Sequence, residues 1–172
     1  MNACLQVLKN RRSVKSYENK PVPPALLEEV LAAGINAPTG MNRQSPVMVA
    51  VSNPETLRLI SKLNAEVLGT DSDPFYGATC VIVVFADSSI RTYLEDGSLV
   101  MGNLLNAAAS LGLGACWIHR AKEAFMLPEG KKLMEKWGLD SRYIGIGNCI
   151  VGYPKQMPAT KEHKEDYVIY DV

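Results

Sequence analysis

The sequence predicts an α+β protein in which helices surround a mainly antiparallel or mixed central sheet. Thr79 to Ala86 (Thr-Cys-Val-Ile-Val-Val-Phe-Ala) is apolar on both alternating faces, the pattern of a central strand covered on both sides. From about Leu94 to Leu111 the chain is apolar nearly all round, interrupted by small or amide residues such as Gly97, Gly102, Asn103 and Asn106. A long helix buried on all sides is expected there. The 172 residues carry no repeat and no low-complexity tract, and that length suits one domain, 1–172, with one sizeable core.

Residues 2 to 10 predict the first helix, with Asn2 as its cap, Leu5 and Leu8 three apart, and Arg11-Arg12 at its end. Pro24 suits the first turn of a second helix, because its missing N–H would be unpaired there anyway. Leu27, Val30, Leu31 and Gly34 continue it with helical spacing, and it should stop before Pro38. Val47 to Val51 reads as a short strand, and Pro54 opens a helix through Leu57, Ile60, Leu63 and Val67. After the long helix, Gly112 to Gly114 forms the break and Ala115 to Ile118 a strand. Glu129 to Trp137 gives a shorter helix ending at Gly138, and Tyr143 to Val151 a further strand. The segment 154–172 combines Pro154, Pro158 and several charges with a terminal Asp166-Tyr-Val-Ile-Tyr-Asp-Val172. A lone apolar strand after a polar linker needs a sheet edge, and this linker could carry it to a second subunit, so a dimer is expected.

Composition narrows the function classes. Hydrophobic residues at 47% and charged residues at 21% are globular values. Lys plus Arg is 18 and Asp plus Glu is 18, which removes the simplest electrostatic case for nucleic acid but leaves room for a local site for one small anion. Cys4, Cys80, Cys116 and Cys149 have neither zinc-ligand nor redox Cys-x-x-Cys spacing and read as free thiols of a reducing compartment. No apolar run reaches the ~20 residues of a membrane span and no secretory leader is visible, so a soluble cytoplasmic protein is expected.

Two stretches could carry chemistry. Arg11-Arg12-Ser13-Val14-Lys15 packs three cations and a hydroxyl into five residues, and extended backbone would place Arg11, Ser13 and Lys15 on one side, able to satisfy phosphate oxygens. Cations at a helix C-terminus also simply meet its dipole and stay solvated. Asn36-Ala-Pro-Thr-Gly-Met-Asn-Arg-Gln44 is a loop of turn formers and amides that could donate several hydrogen bonds, or could merely connect a helix to a strand. Gly112-Leu-Gly114 and Ile144-Gly-Ile-Gly147 do not complete a dinucleotide fingerprint and read as close-packing sites. His119 and His163 form no metal or catalytic pair, and no nucleophile elbow, zincin or P-loop motif occurs. An enzyme built this way would draw its reactivity from a bound cofactor.

In order along nearly the whole chain, the pieces resemble the FMN-dependent nitroreductase family. The matching stretches are Arg11-Arg-Ser-Val-Lys-Ser-Tyr17, Ala37-Pro-Thr-Gly-Met-Asn-Arg-Gln44, Phe75-Tyr-Gly-Ala78, Leu111-Gly-Leu-Gly-Ala-Cys-Trp-Ile118 and Ile146-Gly-Asn-Cys-Ile-Val-Gly-Tyr-Pro154. The resemblance implies a nitroreductase-like fold, an intertwined homodimer with C-terminal arm exchange, and FMN held at the subunit interface. By that resemblance Arg11, Arg12 and Ser13 hold the phosphate and ribityl chain, while Lys15 approaches the pyrimidine edge, where a cation stabilises the charge of the reduced ring. Pro38, Thr39, Gly40 and Asn42 come from the partner. The turn at Ile118, His119 and Arg120 presents N–H groups near N5, Lys161 and Lys164 close over the phosphate, and Tyr167 to Tyr170 wraps the other subunit.

The implied activity passes hydride from NADH or NADPH through FMN to a nitroaromatic, quinone or activated alkene by a ping-pong scheme, with no protein acid or base, no metal and no nucleic acid. The alternatives are a flavin-binding or carrier protein of the same fold without turnover, and an interaction module that binds no flavin and leaves Arg11, Arg12 and Lys15 solvated. Three departures stand out: Gln44-Ser45-Pro46-Val47 lacks the family's aromatic, the chain is short in the region of the lid, and Asp71, Ser72 and Asp73 compete for the polar position ahead of Phe75.

Overall fold

The computed structural model describes residues 2–160 and 162–171. Helix α1 (Ala3–Asn10) starts where the Asn2 side chain accepts a hydrogen bond from the Cys4 N–H at 2.9 Å. Helix α2 (Pro24–Ile35) and helix α3 (Pro54–Leu68) both begin on a proline; Asn53 caps α3 by accepting from the Glu55 and Thr56 N–H groups. Strand β1 (Pro46–Val51) lies between them. Strand β2 (Cys80–Asp87), helix α4 (Tyr93–Ser110) and strand β3 (Gly114–Ile118) follow, then helices α5 (Ala121–Ala124) and α6 (Pro128–Lys136) and strand β4 (Tyr143–Gly152). The four strands run in the order β1-β2-β4-β3, and every pairing is antiparallel.

The period of two along β2 divides the core. Val81, Val83 and Phe85 face Ile60 of α3, Ala121 of α5 and Leu133 and Met134 of α6; Cys80, Ile82, Val84 and Ala86 face Val30 of α2 and Val100, Met101, Leu104 and Ala108 of α4. The result is helix, sheet, helix, with β2 covered on both faces as its composition predicts. Between Val84 and Phe85 the β2–β4 register slips, leaving Ile146 as an extra residue of β4. The bulged side chain is pressed against α4 at Gly97, where a Cβ would run into Ile146. Gly145 and Gly147 admit the Ala121 backbone and the Trp117 indole in the same way.

Two expectations need correction and two elements were not foreseen. Helix α4 is not buried on all sides within one chain: Leu94 is 53% and Leu99 47% exposed. Asp166 to Asp171 forms no ladder with any described residue; a single helical turn at Glu165–Tyr167 precedes backbone that is extended at Val168, and Ile169 is 91% exposed. Helix α5 and the turn at Gly40–Asn42 are too short to announce themselves by periodicity.

Candidate functional site

The basic run leaves α1 in an extended conformation and lies beside β3. Ser13 bridges Ala115 in parallel, the Val14 N–H donates to the Ala115 carbonyl at 3.1 Å, and Val14 and Tyr17 are buried in the core. With Val14 turned inward, the alternation brings Arg11, Ser13 and Lys15 together around Cys116. Burial raises that thiol's pKa, while the Ser13 hydroxyl and the charges of Lys15 and Arg11 pull against the rise. One guanidinium nitrogen of Arg11, Nη1, is buried with no partner among the described residues.

Arg12 points elsewhere. Its Nη1 donates to the carbonyls of Lys9 (2.8 Å) and Arg11 (2.9 Å), and its Nε to the Ala159 carbonyl at 3.2 Å, so it ties the C-terminal segment to the end of α1. Arg11, Arg12 and Met157 line a cavity of about 380 Å³ against the end of α4. Lys15 Nζ sits 5.9 Å from the ring centre of Tyr76, a residue held at φ 54. The Asp73 carboxylate caps that turn, accepting from the Phe75 N–H at 2.9 Å and the Gly77 N–H at 2.8 Å, so of the three polar residues ahead of Phe75 this one is consumed by backbone. A larger cavity, about 690 Å³ between α3 and this loop, contains none of the basic run.

The amide loop lies at the opposite edge of the sheet, leading into β1. Gly40 donates its N–H to Asp96 Oδ1 at 2.8 Å, and Ser45 and Thr92 donate hydroxyls to Asp96 Oδ2 at 2.7 and 3.2 Å. Asp96 is buried in the first turn of α4, where the helix dipole favours a carboxylate. Thr39 Oγ1 accepts from the Gln44 N–H, and Met41, Asn42 and Gln44 all have positive φ, so the loop is held open at a conformational cost. Pro38 and Asn42 are exposed. Sequence reasoning missed Asp96; the acidic pair Glu95-Asp96 at the start of an otherwise apolar helix was the available signal.

The third piece is the turn after β3. Ile118 is buried, His119 exposed, and Arg120 has φ 60 with a buried Nε that has no partner among the described residues. Tyr93 and Leu94 of α4 share a cavity of about 160 Å³ with His119 and Arg120, so the first turns of α4 stand between this turn and the amide loop. Lys164 pairs with Asp166 at 3.4 Å on the surface, and Lys161 lies outside the described residues.

One chain therefore does not assemble the predicted constellation. The basic run and β1 are separated by the width of the sheet, about four strand spacings or roughly 20 Å. Among the described residues no cluster of three metal-ligating side chains occurs. No helix is long and apolar enough to cross a membrane. What the site offers is hydrogen-bond donors and fixed charge, the inventory of an α+β domain that holds a charged ligand and takes its reactivity from it.

The chain belongs to the nitroreductase family, whose model matches residues 8–70 and 69–153. An Archaeoglobus fulgidus protein with the provisional name NADH dehydrogenase/NAD(P)H nitroreductase is 29% identical over 90% of this chain and 87% of its own. The FMN reductase [NAD(P)H] of Bacillus subtilis is 24% identical over 99% of this chain and 77% of its own. The crystal structure of a Bacteroides fragilis nitroreductase with bound FMN superposes with a TM-score of 0.91 at 24% identity over 100% of both chains, so the fold is shared throughout.

Proposed function

We propose that the protein is an FMN-dependent oxidoreductase that works as a homodimer and takes hydride from NADH or NADPH. The observation that carries this reading is the division of the predicted site residues between opposite sheet edges. Arg11, Ser13 and Lys15 gather at one and the Pro38–Asn42 loop at the other, with an unpartnered guanidinium nitrogen buried on the cationic side. The donor set suits the group: guanidinium forks and a hydroxyl match a phosphate, and an ammonium suits an electron-rich ring edge. Bound FMN would supply reversible two-electron hydride chemistry, which no side chain here offers.

The chain's own residues then bind, orient and exclude water. Arg11, Ser13 and the Nη2 of Arg12, which bonds to none of the described residues, would hold the phosphate end, joined by Lys164 and, from outside the described residues, Lys161. Lys15 would keep a positive charge at the pyrimidine edge, and the turn at Ile118–Arg120 would donate backbone N–H groups. Pro38, Thr39, Gly40 and Asn42 of a second copy would pack on the ring. Second-copy contacts are supported by the apolar surface a single chain leaves bare: Leu5 and Leu8 on α1, Leu94 and Leu99 on α4, and the tail from Tyr167 to Tyr170. Nucleotide and acceptor would use one ring face in turn, the acceptor being a nitroaromatic, quinone or activated alkene.

The test is spectroscopic. The purified protein should be yellow, bleach with NADH or NADPH under argon, and recolour when a nitroaromatic or quinone is added. A colourless protein that takes up no added FMN overturns the reading.

A further inference from the structure

Asn148 lies at the last register position of β4 against β3, opposite Ile118, and is fully buried. A buried side-chain amide is costly unless hydrogen bonded, and here the donor side alone is bonded, the Oδ1 having no partner among the described residues. Its Nδ2 donates to the carbonyls of Ile118 (3.3 Å) and His119 (3.1 Å) and to Asn64 Oδ1 (3.1 Å). Asn64, also fully buried, comes from α3 and donates its own Nδ2 to the Ile60 carbonyl at 2.9 Å. Two side-chain amides thus link the frame of α3 to the turn that ends β3.

The consequence follows from peptide geometry. In a trans peptide the C=O and the following N–H point in opposite directions. With the carbonyls of Ile118 and His119 drawn inward to one Nδ2, the N–H groups of His119 and Arg120 must point away from it. Neither N–H has a partner among the described residues. The positive φ of Arg120 is the local cost of this arrangement, since a side chain rarely adopts it without being held.

We propose that Asn148, braced by Asn64, is a positioning residue that fixes the direction of the His119 and Arg120 N–H groups toward the reacting edge of the bound flavin. The inference rests on the FMN reading above and adds to it the device that aims the donors. Asn148 touches neither cofactor nor substrate: it acts through two carbonyls, and its loss leaves the phosphate contacts of the basic run intact.

The experiment compares wild type, Asn148→Leu and Asn64→Leu, each loaded with FMN labelled with ¹⁵N at N5. Three quantities are read: the FMN dissociation constant, the N5 chemical shift of the oxidised flavin, and the rate of anaerobic bleaching by NADH and by NADPH, each variant being compared with wild type using the same nucleotide. Asn148→Leu should move the N5 resonance toward that of an unbonded nitrogen and slow bleaching at least tenfold, with the dissociation constant changed less than threefold. Asn64→Leu keeps both carbonyl contacts and should give a smaller shift of the same sign; it decides the matter should Asn148→Leu fail to fold. FMN bound by the variants with unchanged N5 shift and bleaching rate overturns the positioning role alone. Wild-type protein that binds no FMN overturns the functional reading and this inference together, and wild-type protein that binds FMN but is bleached by neither nucleotide overturns the hydride step, leaving the N5 shift to judge the positioning role.

Discussion

The two cationic ends of the candidate site are held in opposite ways. Residues 13–17 are clamped to the molecule: Ser13 bridges Ala115, Tyr17 bridges Pro154, Val14 is 1% exposed, and the Tyr17 hydroxyl donates to the Val14 carbonyl at 2.8 Å. Residues 162–171 hold almost nothing. Tyr167, Val168, Ile169 and Tyr170 are all exposed, and the contacts that Lys164 makes, with Asp166 and the Tyr167 ring, are within the tail itself. The difference separates a half-site that one chain completes from a half-site that has apolar side chains and no surface of its own chain to bury them against. The tail's composition is that of a strand, yet its burial within one chain is that of a linker.

The largest effect should come from breaking the clamped end. Val14→Asp places a charge where nothing can pair with it, and the protein should lose more than about 4 kcal/mol and fail to fold at ordinary temperature, as read by urea unfolding and circular dichroism. Cutting the chain after Thr160 should do the reverse: the melting transition of the folded chain stays cooperative while the proposed dimer dissociates at least 100-fold more readily, about 2.7 kcal/mol in association. Sedimentation over a concentration series measures that. A truncated protein with an unchanged dimer would show that the tail carries no exchanged arm.

How much of this contrast could be read beforehand depended on how local its cause is. The cap at Asn2, the prolines opening α2 and α3 and the two-faced strand β2 are each written in a few adjacent residues, and all stand where the sequence puts them. That Arg11, Ser13 and Lys15 share one side was legible for the same reason, since strand alternation dictates it, whereas their meeting at Cys116 of β3 is set by the fold. Arg12 was not, because its partners include the Ala159 carbonyl, distant in sequence. Asp96 and Asn148 escaped notice for a related reason: the meaning of each lies in atoms that folding brings from other elements, Gly40 and Ser45 in one case, Asn64 and His119 in the other. Helix α4 misled because its apolar outer face implied cover that one chain does not supply.

A milder lesion sharpens the comparison. Tyr17→Phe keeps the buried ring and removes only the hydroxyl that satisfies the Val14 carbonyl, so the clamp stays shut with one buried acceptor unpaired. The expected loss is about 2 kcal/mol in urea unfolding. No change in stability would mean that the ladder contacts to Ala115 and Pro154 hold the run without it.

The smallest expected effect is carried by thiols. Cys116 lies beneath the basic run, whereas Cys4 is exposed on α1. Burial pushes Cys80 up to about 12 and raises Cys116 and Cys149, the last raised further by the neighbouring thiols Cys80 and Cys116. These three stay protonated in the folded chain where the unfolded chain, with thiols near 8.5, releases protons. Folding stability should therefore be insensitive to them below about pH 8 and fall as pH rises through the ordinary thiol range, by on the order of 1 kcal/mol in total at pH 8.5. The same difference governs reactivity, since the thiolate is the nucleophile. At pH 8 one thiol per folded chain should react with a disulfide reagent within minutes and four should react in denaturant. A second fast thiol lost on Cys116→Ala would mean that the run opens away from β3 on that timescale, and the clamped end would then differ from the tail in degree only.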